Sequence, residues 1–546
     1  LVYAFDLFTK IYEEEGYNTS EIPNLIIENN LYGFEIDERA AQLSGLALMM
    51  KAREYNRRVF HKKLNPNILC FKDLLVTKDE IKELLKSQQI KVSDELMHDL
   101  LLMQQATNFG SLIIPNSHTS EIVSVLNKLT QFLPNADVFQ RSNVETFNGS
   151  LNQLFLLGQK FHCVAANPPY MGGGNMNTVL LEFVKNNYPD SKTDLMACFM
   201  ESGLEMLHQK GFLGMINQHS WMFLGSYENL RKKVIDNVFV DTLLHLGART
   251  FPEIGGEVVQ NTSFTFQNCS LDDSGKFIRL VDYDKSELKR TKTLEAIRNP
   301  SCGWFYLAKQ QNFKKILGSP IGYFFNDASI NIFENCKSLS EITSIKKGLS
   351  TSNNERFLRF WYEVEFSKTS TSVNQFAKDK KWFLANKGGE FQKFYGNQEY
   401  IINWENDGIE LKSIKPRSVI RSPQHFFKPI LAFSKISSST FSIRKFEYGF
   451  ISIDASSYLV EFKQSIENFL LGVLNSKIFG HLLGKLTPTL NFEIGDMSKF
   501  PIPNNIDGQL NERISNIVEE VIDITKDYVL SKENHWLFKS NHLIIH

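Results

Sequence analysis

The residues best suited to chemistry are Asn167-Pro168-Pro169-Tyr170, which directly follow the run FHCVAA. This run predicts a short buried strand, and ligands of open α/β sheets bind beyond the carboxyl ends of strands. A proline keeps the preceding residue out of the helical region, so Asn167 is held extended. The motif can therefore present two acceptors, the Asn167 side-chain oxygen and the Pro168 carbonyl oxygen, to one exocyclic amine.

Two such acceptors suit methyl transfer to an aromatic amine such as adenine N6. The lone pair of that nitrogen is delocalised into the ring, which makes it a poor nucleophile. Acceptors on both of its hydrogens favour a more tetrahedral nitrogen that aims its lone pair at a methyl donor, so catalysis rests on orientation and electrostatics. Tyr170 offers a face on which a planar ring can stack. The alternative is that Asn167–Tyr170 is only a stiff turn between a strand and a loop.

The preceding segments predict the sheet that would position this motif. The opening run LVYAFDLFTKIY predicts a helix, LYGFEI (31–36) a short buried strand, residues 37–53 a helix and residues 67–71 another strand. Alternation of strands and helices indicates a parallel sheet. Because the chain opens on Leu1 inside a predicted helix, we expect further residues upstream in the whole protein.

A charged, leucine-rich helical stretch at 77–131 interrupts this alternation and is interpreted as an insertion. Beyond it the patterns predict strands at 161–166, 211–217 and 239–246, helices at 194–209 and 227–236, and a hairpin that includes 258–267. From about Cys336 the pattern becomes that of an irregular β-rich domain. Leu510 begins an amphipathic helical run.

Composition narrows the class of protein. The 546 residues include 60 Lys and Arg and 61 Asp and Glu, so a uniformly basic nucleic-acid coat is excluded while a local basic face is allowed. The six cysteines contain no CxxC pair, which argues against a disulfide scaffold or a cysteine zinc site, and we predict no metal site. No apolar run approaches the roughly 18 residues of a membrane helix. These features favour the reducing cytoplasm and no membrane partner.

One stretch, residues 411–446, carries positive charge without any acidic residue. Phenylalanines interleave its cations, and most of the chain's 44 phenylalanines are expected in the core with a minority as stacking surfaces. We interpret this stretch as the best candidate for phosphate contact. Its basic residues are Lys412, Lys415, Arg417, Arg421, Lys428, Lys435, Arg444 and Lys445.

Several longer segments together show a resemblance. They are LYGFEIDERAAQLSGLALMMKAR, NPPYMGGGNMN, FPEIGGEVVQNTSF, KKGLSTSNNERFLRFW, NKGGEFQKFYGN and LNSKIFGHLLGKLTPTLNFEIGDMSKFPIP. The chain resembles the gamma-class N6-adenine DNA methyltransferases, and more closely the PglX-like adenine-specific methyltransferases of the BREX phage-exclusion systems. The resemblance implies an α/β fold: a Rossmann-like S-adenosylmethionine-dependent domain with a helical insertion, then an α+β target-recognition domain and a C-terminal helix.

The resemblance also implies a cofactor site. Glu35, at the end of the second strand of the class, would accept from the ribose hydroxyls of S-adenosylmethionine, and Ile36 would pack on its adenine. Asp73 matches the acid that accepts from the adenine amine, and Asn167 would lie beside the cofactor. The alternatives are an exposed helix-start carboxylate for Glu35 and a capping role for Asp73.

The flipped base would lie between Tyr170 and an aromatic that the resemblance places at Phe251. The alternative is that Phe251 is a core residue at a loop edge. Phe199 either lines the same pocket or, with better odds, belongs to the core. Gly172–Gly174 either open and close over the base or form a plain flexible connection.

The implied domains are a cofactor half at 1–76, an insertion at 77–160, a catalytic half at 161–270, a connection at 271–335, target recognition at 336–505 and a helical segment at 506–546. The class carries a glycine-containing cofactor loop of the type DPACGSGH just upstream of the segment that begins here at Leu1. We therefore expect this chain to bind S-adenosylmethionine more weakly than a version extended upstream.

The implied activity is site-specific methylation of adenine in double-stranded DNA for phage defence, with other defence components as partners. Predicted DNA contacts are Lys412, Lys415, Arg417, Arg421, Lys428, Arg356 and Arg359, each of which could instead belong to a solvated face. Alternatives are a non-catalytic DNA-binding or assembly subunit, the methyltransferase part of a bifunctional restriction–modification enzyme, and a protein glutamine methyltransferase. The large basic and aromatic second half argues against the last.

Overall fold

A computed structural model describes residues 1–61, 63–135, 138–251, 259–371, 379–436, 440–486, 492–503 and 507–539. The chain divides into two compact units, and each is described by itself. The first comprises residues 1–219 and 237–305, and the second comprises residues 220–236 and 306–546. No described helix is long and apolar enough to cross a membrane.

The strands are β1 Tyr32–Glu35, β2 Asn67–Cys70, β3 Phe161–Ala166, β4 Leu207–Gln218, β5 Phe239–Gly247, β6 Asn261–Gln267, β7 Ser274–Arg279, β8 Phe305–Lys309, β9 Lys337–Ser338, β10 Ser344–Lys347, β11 Leu358–Phe360, β12 Thr369–Ser370, β13 Trp382–Asn386, β14 Tyr400–Asn403, β15 Ile430–Ser434, β16 Ile443–Phe446, β17 Ile451–Ser452, β18 Ser456–Val460 and β19 Pro501–Ile502.

The helices are α1 Val2–Glu14, α2 Ile22–Leu25, α3 Glu38–Tyr55, α4 Lys78–Ser87, α5 Asp94–Leu102, α6 Ala106–Phe109, α7 Thr119–Phe132, α8 Val138–Leu157, α9 Thr178–Asn187, α10 Leu195–Glu205, α11 Glu228–Asn237, α12 Ser286–Arg298, α13 Asp327–Asn335, α14 Leu339–Ile342, α15 Asn354–Phe357, α16 Glu405–Ser413, α17 Glu467–Leu474, α18 Lys477–Leu486, α19 Ile494–Ser498 and α20 Gly508–Leu530. A π-helical turn, Ile26–Asn30, precedes β1.

The first unit contains two sheets of mostly parallel strands. β1 pairs in parallel with β2, and β3 pairs in parallel with β4. β6 lies antiparallel between β4 and β5, and β7 pairs in parallel with β5, so the order is β3-β4-β6-β5-β7. The antiparallel pairing of β5 with β6 agrees with the predicted hairpin. The strands before the insertion do not join the sheet of the Asn167–Tyr170 motif as expected, because β1 and β2 form a separate pair. Residues 274–279, within the stretch interpreted as a connection, add a strand to this sheet.

The strands β1 and β3 are less buried than the sequence predicted. β1 is half-buried throughout, and β3 exposes His162, Cys163 and Ala165. The physical reason is that each strand lies at an edge: within the described residues, β1 pairs only with β2 and β3 only with β4. The boundary expected near 209 was also wrong, because α10 ends at Glu205 and β4 begins at Leu207.

The insertion is helical, as predicted, and shares one core with the helices that follow it. Buried side chains of α4, α5, α7 and α8 pack with those of α9 and α10 in one apolar cluster, which includes Ile81, Leu100, Leu129 and Phe147. A capping box at Thr77 and Glu80 begins α4, since each side chain satisfies the other residue's backbone N–H. The insertion is thus packed onto the elements that flank Asn167–Tyr170, called here the NPPY segment.

The second unit is built on two small sheets with helices around them. One has the order β10-β18-β15-β16, and the other the order β11-β14-β13-β12 with β17 added to β13. The expected β-rich organisation after residue 336 is confirmed, as is the helix beginning near Leu510. One apolar cluster, around Trp404 and Ile451, lies on the sheet that contains β13. A second cluster, around Phe446 and Tyr458, contains side chains from both sheets, since it also includes Leu384 of β13.

Candidate active site

The NPPY segment leaves the carboxyl end of β3 as predicted. Asn167 is exposed, Pro168 is buried and Tyr170 is half-buried. The Tyr170 hydroxyl donates to the carbonyl oxygen of Ile216 in β4 at 3.3 Å. Burial, and then the nearby Asp194 carboxylate, raise the pKa of Tyr170 to about 12, so the phenol is neutral at physiological pH. The segment thus carries an exposed amide at Asn167 and, three residues later, a ring whose hydroxyl is held by β4.

Asp194 holds the loop that follows Tyr170, and sequence reasoning missed this role. Its Oδ1 accepts from the backbone N–H of Met171 at 3.0 Å and of Met196 at 3.1 Å. The Leu195 N–H donates back to the Met171 carbonyl at 3.1 Å, and Gly172 forms a β-bridge with Asp194. Burial raises the pKa of Asp194, and the two backbone donors oppose that rise. The sequence signal was an aspartate at the N-cap of α10.

The glycines after Tyr170 are tied to this same segment. Gly173 N–H donates to the Thr193 carbonyl at 3.1 Å, and Asn175 N–H donates to the Gly172 carbonyl at 2.9 Å. Asn177 then caps α9 by accepting from Leu180 N–H at 2.9 Å. Phe199 is partly buried against the large apolar cluster, which supports its interpretation as a core residue.

Glu35 and Ile36 lie at the carboxyl end of β1. Glu35 Oε1 accepts from the backbone N–H of Ile36 at 2.8 Å and of Asp37 at 3.0 Å. Glu35 Oε2 has no protein donor within the described part of the chain, so it is available to a ligand. Ile36 is 52% exposed, which is unusual for an isoleucine next to a strand and leaves an apolar face open.

Asp73 follows β2 and is engaged by a residue of the insertion. Its Oδ1 accepts from the Thr107 backbone N–H at 2.8 Å, and the Thr107 hydroxyl lies 3.0 Å from Oδ1 and 2.9 Å from Oδ2. The carboxylate therefore accepts from the first turn of the short helix α6, 34 residues along the chain, and not from the segment that directly follows it. Its role toward a cofactor stays a prediction.

Phe251 follows β5 and is half-buried at the last described position before 259. The rest of FPEIGGEV, residues 252–258, lies outside the described residues. In the strand order, β5 is three positions from β3, about 14 Å along the sheet edge. Tyr170 and Phe251 thus follow strands of the same sheet at its same end, and their pairing across a base stays a prediction.

A buried histidine pair lies at this end of the sheet and was not predicted. His219, just after β4, places Nδ1 2.9 Å from Nε2 of His245 in β5. Burial lowers the pKa of His219 to about 4, and burial together with His219 lowers the pKa of His245. Both rings are neutral at pH 7, with one donating to the other. The two residues are 26 apart in sequence and meet across β6, so no local pattern marked them.

The seven predicted DNA contacts of the second unit differ in the partners of their charged groups. Three are held by carboxylates: Arg356 by Glu410 at 2.5 Å, Lys412 by Asp407 at 2.5 Å and Arg421 by Asp454 at 3.1 Å. Arg359 donates to the carbonyl oxygens of Glu355 and Leu358. Lys415, Arg417 and Lys428 are exposed, with no carboxylate partner among the described residues.

The phenylalanines between these cations are not a stacking surface. Phe433 and Phe446 are fully buried, Phe441 is 4% exposed, and Phe426 and Phe427 pack against the apolar cluster around Trp404. Arg444 is also fully buried and donates to the Gln392 carbonyl and the Ser434 hydroxyl. The physical reason is that β15 is buried at all five of its residues and β16 at three of its four, so the interleaved pattern reflects strand packing.

The chain is similar in sequence to known methylases. Residues 29–251 match the family model of the Eco57I restriction-modification methylase. The whole chain is 37% identical to the adenine-specific methyltransferase BrxX of Escherichia coli O9:H4 (strain HS) and 35% identical to the adenine-specific methyltransferase PglX of Lacticaseibacillus casei (strain Zhang). The chain spans 46% of the length of each of these relatives.

A solved structure shares the fold. The chain matches a nuclease-deletion mutant of the Type ISP restriction-modification enzyme LlaGI, solved with a DNA substrate mimic, with a TM-score of 0.50 and 11% identity. The match covers 96% of this chain and 43% of that one. The chain is homologous over its whole length to the adenine-specific methyltransferases BrxX and PglX. The Eco57I methylase match at 29–251 lies in the first unit except for residues 220–236, which belong to the second.

Proposed function

We propose that this chain transfers a methyl group from S-adenosylmethionine to adenine N6 of double-stranded DNA, with the target base flipped out of the duplex, as part of self-marking in phage defence. The observation that carries the proposal is the placement of an exposed Asn167 and a hydrogen-bonded Tyr170 at the carboxyl end of β3. Homology to adenine-specific methyltransferases supports the same chemistry.

The residues of the first unit fit the cofactor's nucleoside part. Glu35 keeps Oε2 for a ribose hydroxyl, Ile36 offers an open apolar face for a ring, and Asp73 supplies a carboxylate for the ring's amine. Each lies just after β1 or β2, at the edge where parallel strands present ligand-binding residues. When bound, S-adenosylmethionine supplies an electrophilic methyl group on a sulfonium.

Asn167 and the Pro168 carbonyl would accept the two hydrogens of the target amine. They orient the nitrogen lone pair toward the methyl group and stabilise the positive charge that develops on N6. Tyr170, and Phe251 from the other side, would stack on the extruded base, at about 1–3 kcal/mol per face. As the carbon–nitrogen bond forms, the methyl–sulfur bond would break, with the neutral thioether as the leaving group. The N6 proton, acidic once the nitrogen is methylated, would leave to solvent, so no dedicated base is required.

The second unit would contact DNA through Lys415, Arg417 and Lys428. Their ammonium and guanidinium groups are exposed and keep no carboxylate among the described residues, so phosphates meet no internal competitor. Arg356, Lys412 and Arg421 would first have to exchange a carboxylate for a phosphate. Their contribution to DNA affinity is therefore expected to be smaller.

The test is transfer of labelled methyl from S-adenosylmethionine to mixed-sequence duplex DNA. Asn167→Ala should lower transfer by at least about a hundredfold, since orientation of the amine is lost, while DNA binding persists. Asn187→Ala, which removes an exposed amide bonded to the Phe183 carbonyl in the same unit, is the matched control and should be unchanged. Equal activity in the Asn167 variant would reject the mechanism. DNA binding without any transfer would favour a non-catalytic DNA-binding subunit.

A further inference from the structure

A short turn of the insertion, Thr107–Gly110, meets three parts of the candidate site. The first contact is with Asp73, whose carboxylate accepts from the Thr107 backbone and hydroxyl at 2.8–3.0 Å. A carboxylate held by one donor rotates about its last bond, whereas donors to both oxygens from one side fix its plane. Thr107 therefore determines which way the outer face of Asp73 points.

The second contact is with Ile36. Gly110 has a φ of +53°, and a Cβ at this position would lie 2.9 Å from Ile36 Cγ2. Only glycine allows both this backbone conformation and this approach. The turn thus supports Ile36 from one side while the side chain stays 52% exposed on the other.

The third contact is with the loop that follows Tyr170. Asn177 Nδ2 donates to Asn108 Oδ1 at 2.9 Å, and Asn108 Nδ2 donates to Asn177 Oδ1 at 3.4 Å. Asn177 Oδ1 also caps α9. The turn consequently contacts Asp73 and Ile36, which follow β2 and β1, and also Asn177 in the loop after the NPPY segment.

We propose that the turn Thr107–Gly110 forms one wall of an adenine-nucleoside pocket, and that Thr107 is a positioning residue that aims Asp73 at the exocyclic amine of the bound ring. The inference rests on the proposed use of S-adenosylmethionine. It assigns to the insertion a direct part in ligand recognition. Ile36 supplies the apolar face for the ring, and the oriented carboxylate supplies the acceptor that distinguishes an amine from a carbonyl.

The test is calorimetric binding of S-adenosylhomocysteine, adenosine and inosine to the full chain. The unaltered chain should prefer adenosine to inosine, because inosine presents a carbonyl oxygen to Asp73. Thr107→Val should weaken S-adenosylhomocysteine binding about fivefold to tenfold and reduce the preference for adenosine. Thr107→Ser, which keeps the hydroxyl, should restore both. Thr130→Val, which removes a hydroxyl bonded to the Leu126 carbonyl in the same insertion, should change neither.

Gly110→Ala tests the close approach to Ile36 and should weaken nucleoside binding at least tenfold. Gly16→Ala is its control, since Gly16 has a φ of +81° with open space around it. Unchanged affinity and preference in Thr107→Val would overturn the inference while methyl transfer still supports the proposed function. Absence of any nucleoside binding to the unaltered chain would overturn both. The inference would also be overturned if Thr107→Val lowered the affinity for all three ligands by the same factor and Thr107→Ser did not restore it.

Discussion

Asp194 provides the sharpest test of how the NPPY segment is held. Replacing it by alanine removes the acceptor shared by the N–H groups of Met171 and Met196. Asp194 is 8% exposed, so solvent screening reduces the loss little. The helix cap accounts for about 1 kcal/mol of stability. The bond to Met171, a charged acceptor for a backbone donor, accounts for about 1.5–2 kcal/mol more.

The second contribution is the one that concerns catalysis. If the hydrogen bond from Met171 N–H to Asp194 holds Asn167 and Tyr170 in position, its loss should lower kcat about tenfold, since 1.36 kcal/mol corresponds to one factor of ten. KM for DNA should change much less, because the predicted phosphate contacts lie in the other unit. Asp194→Asn keeps an acceptor oxygen and should recover most of the rate.

The assay is steady-state methyl transfer together with thermal unfolding of each variant. Asn326→Ala, which removes the N-cap of α13 in the second unit, serves as the control for cap loss alone. It should lower stability by about 1 kcal/mol and leave kcat unchanged. A fully active Asp194→Ala enzyme of reduced stability would refute the positioning argument and leave Asp194 as a helix cap only.

Three further perturbations have distinct expected outcomes. Tyr170→Phe loses the hydrogen bond to the Ile216 carbonyl but keeps the ring, so methyl transfer should fall only slightly. Tyr170→Ala should weaken the binding of an extruded base by about 1–3 kcal/mol, as measured by 2-aminopurine fluorescence. Equal effects of the two substitutions would contradict stacking. Arg417→Ala should weaken DNA binding and make the slope of log K against log salt concentration shallower by about one released counterion. Lys412→Ala should have a smaller effect, because Asp407 already holds the Lys412 ammonium. Filter binding across a salt series measures both effects. The pKa of His219 is about 4 in the folded chain and near 6.5 in the unfolded chain. The contribution of the neutral ring to the free energy of unfolding is therefore fully present above pH 6.5. Up to about 3 kcal/mol of it is lost as the pH falls toward 4. His219→Asn should therefore flatten the pH dependence of thermal unfolding in that window, and an unchanged slope would contradict the assignment.

Much of the first unit could be predicted because local patterns dominate there. α3, β2 and β3 lie within two residues of their predicted bounds, since apolar periodicity and flanking caps depend only on neighbours in the chain. The position of Asn167 after a strand followed from the same reasoning. The degree of burial did not, because it depends on what pairs with each strand edge, and β3 is exposed at three of its residues.

The second unit shows why charge patterns mislead. The run of cations at 411–446 has no acidic residue of its own, yet its Arg421 meets a carboxylate 33 residues away. Arg356, a predicted contact outside that run, meets one 54 residues away. Buried Arg444 bonds to a carbonyl oxygen 52 residues away in the chain. The packing of the second unit determines these partners, and the neighbouring residues in the sequence contain no signal for them.

The amino-acid sequence by itself determined the elements, the NPPY segment and the resemblance from which the candidate chemistry follows, because these depend on residue types at short spacing. Only the tertiary structure decided which groups act on that segment. Asp194 reaches Met171 across 23 residues, and Thr107 reaches Asp73 across 34. Their hydrogen bonds exist because separate elements pack against one another, and the free energy of that packing belongs to the whole fold.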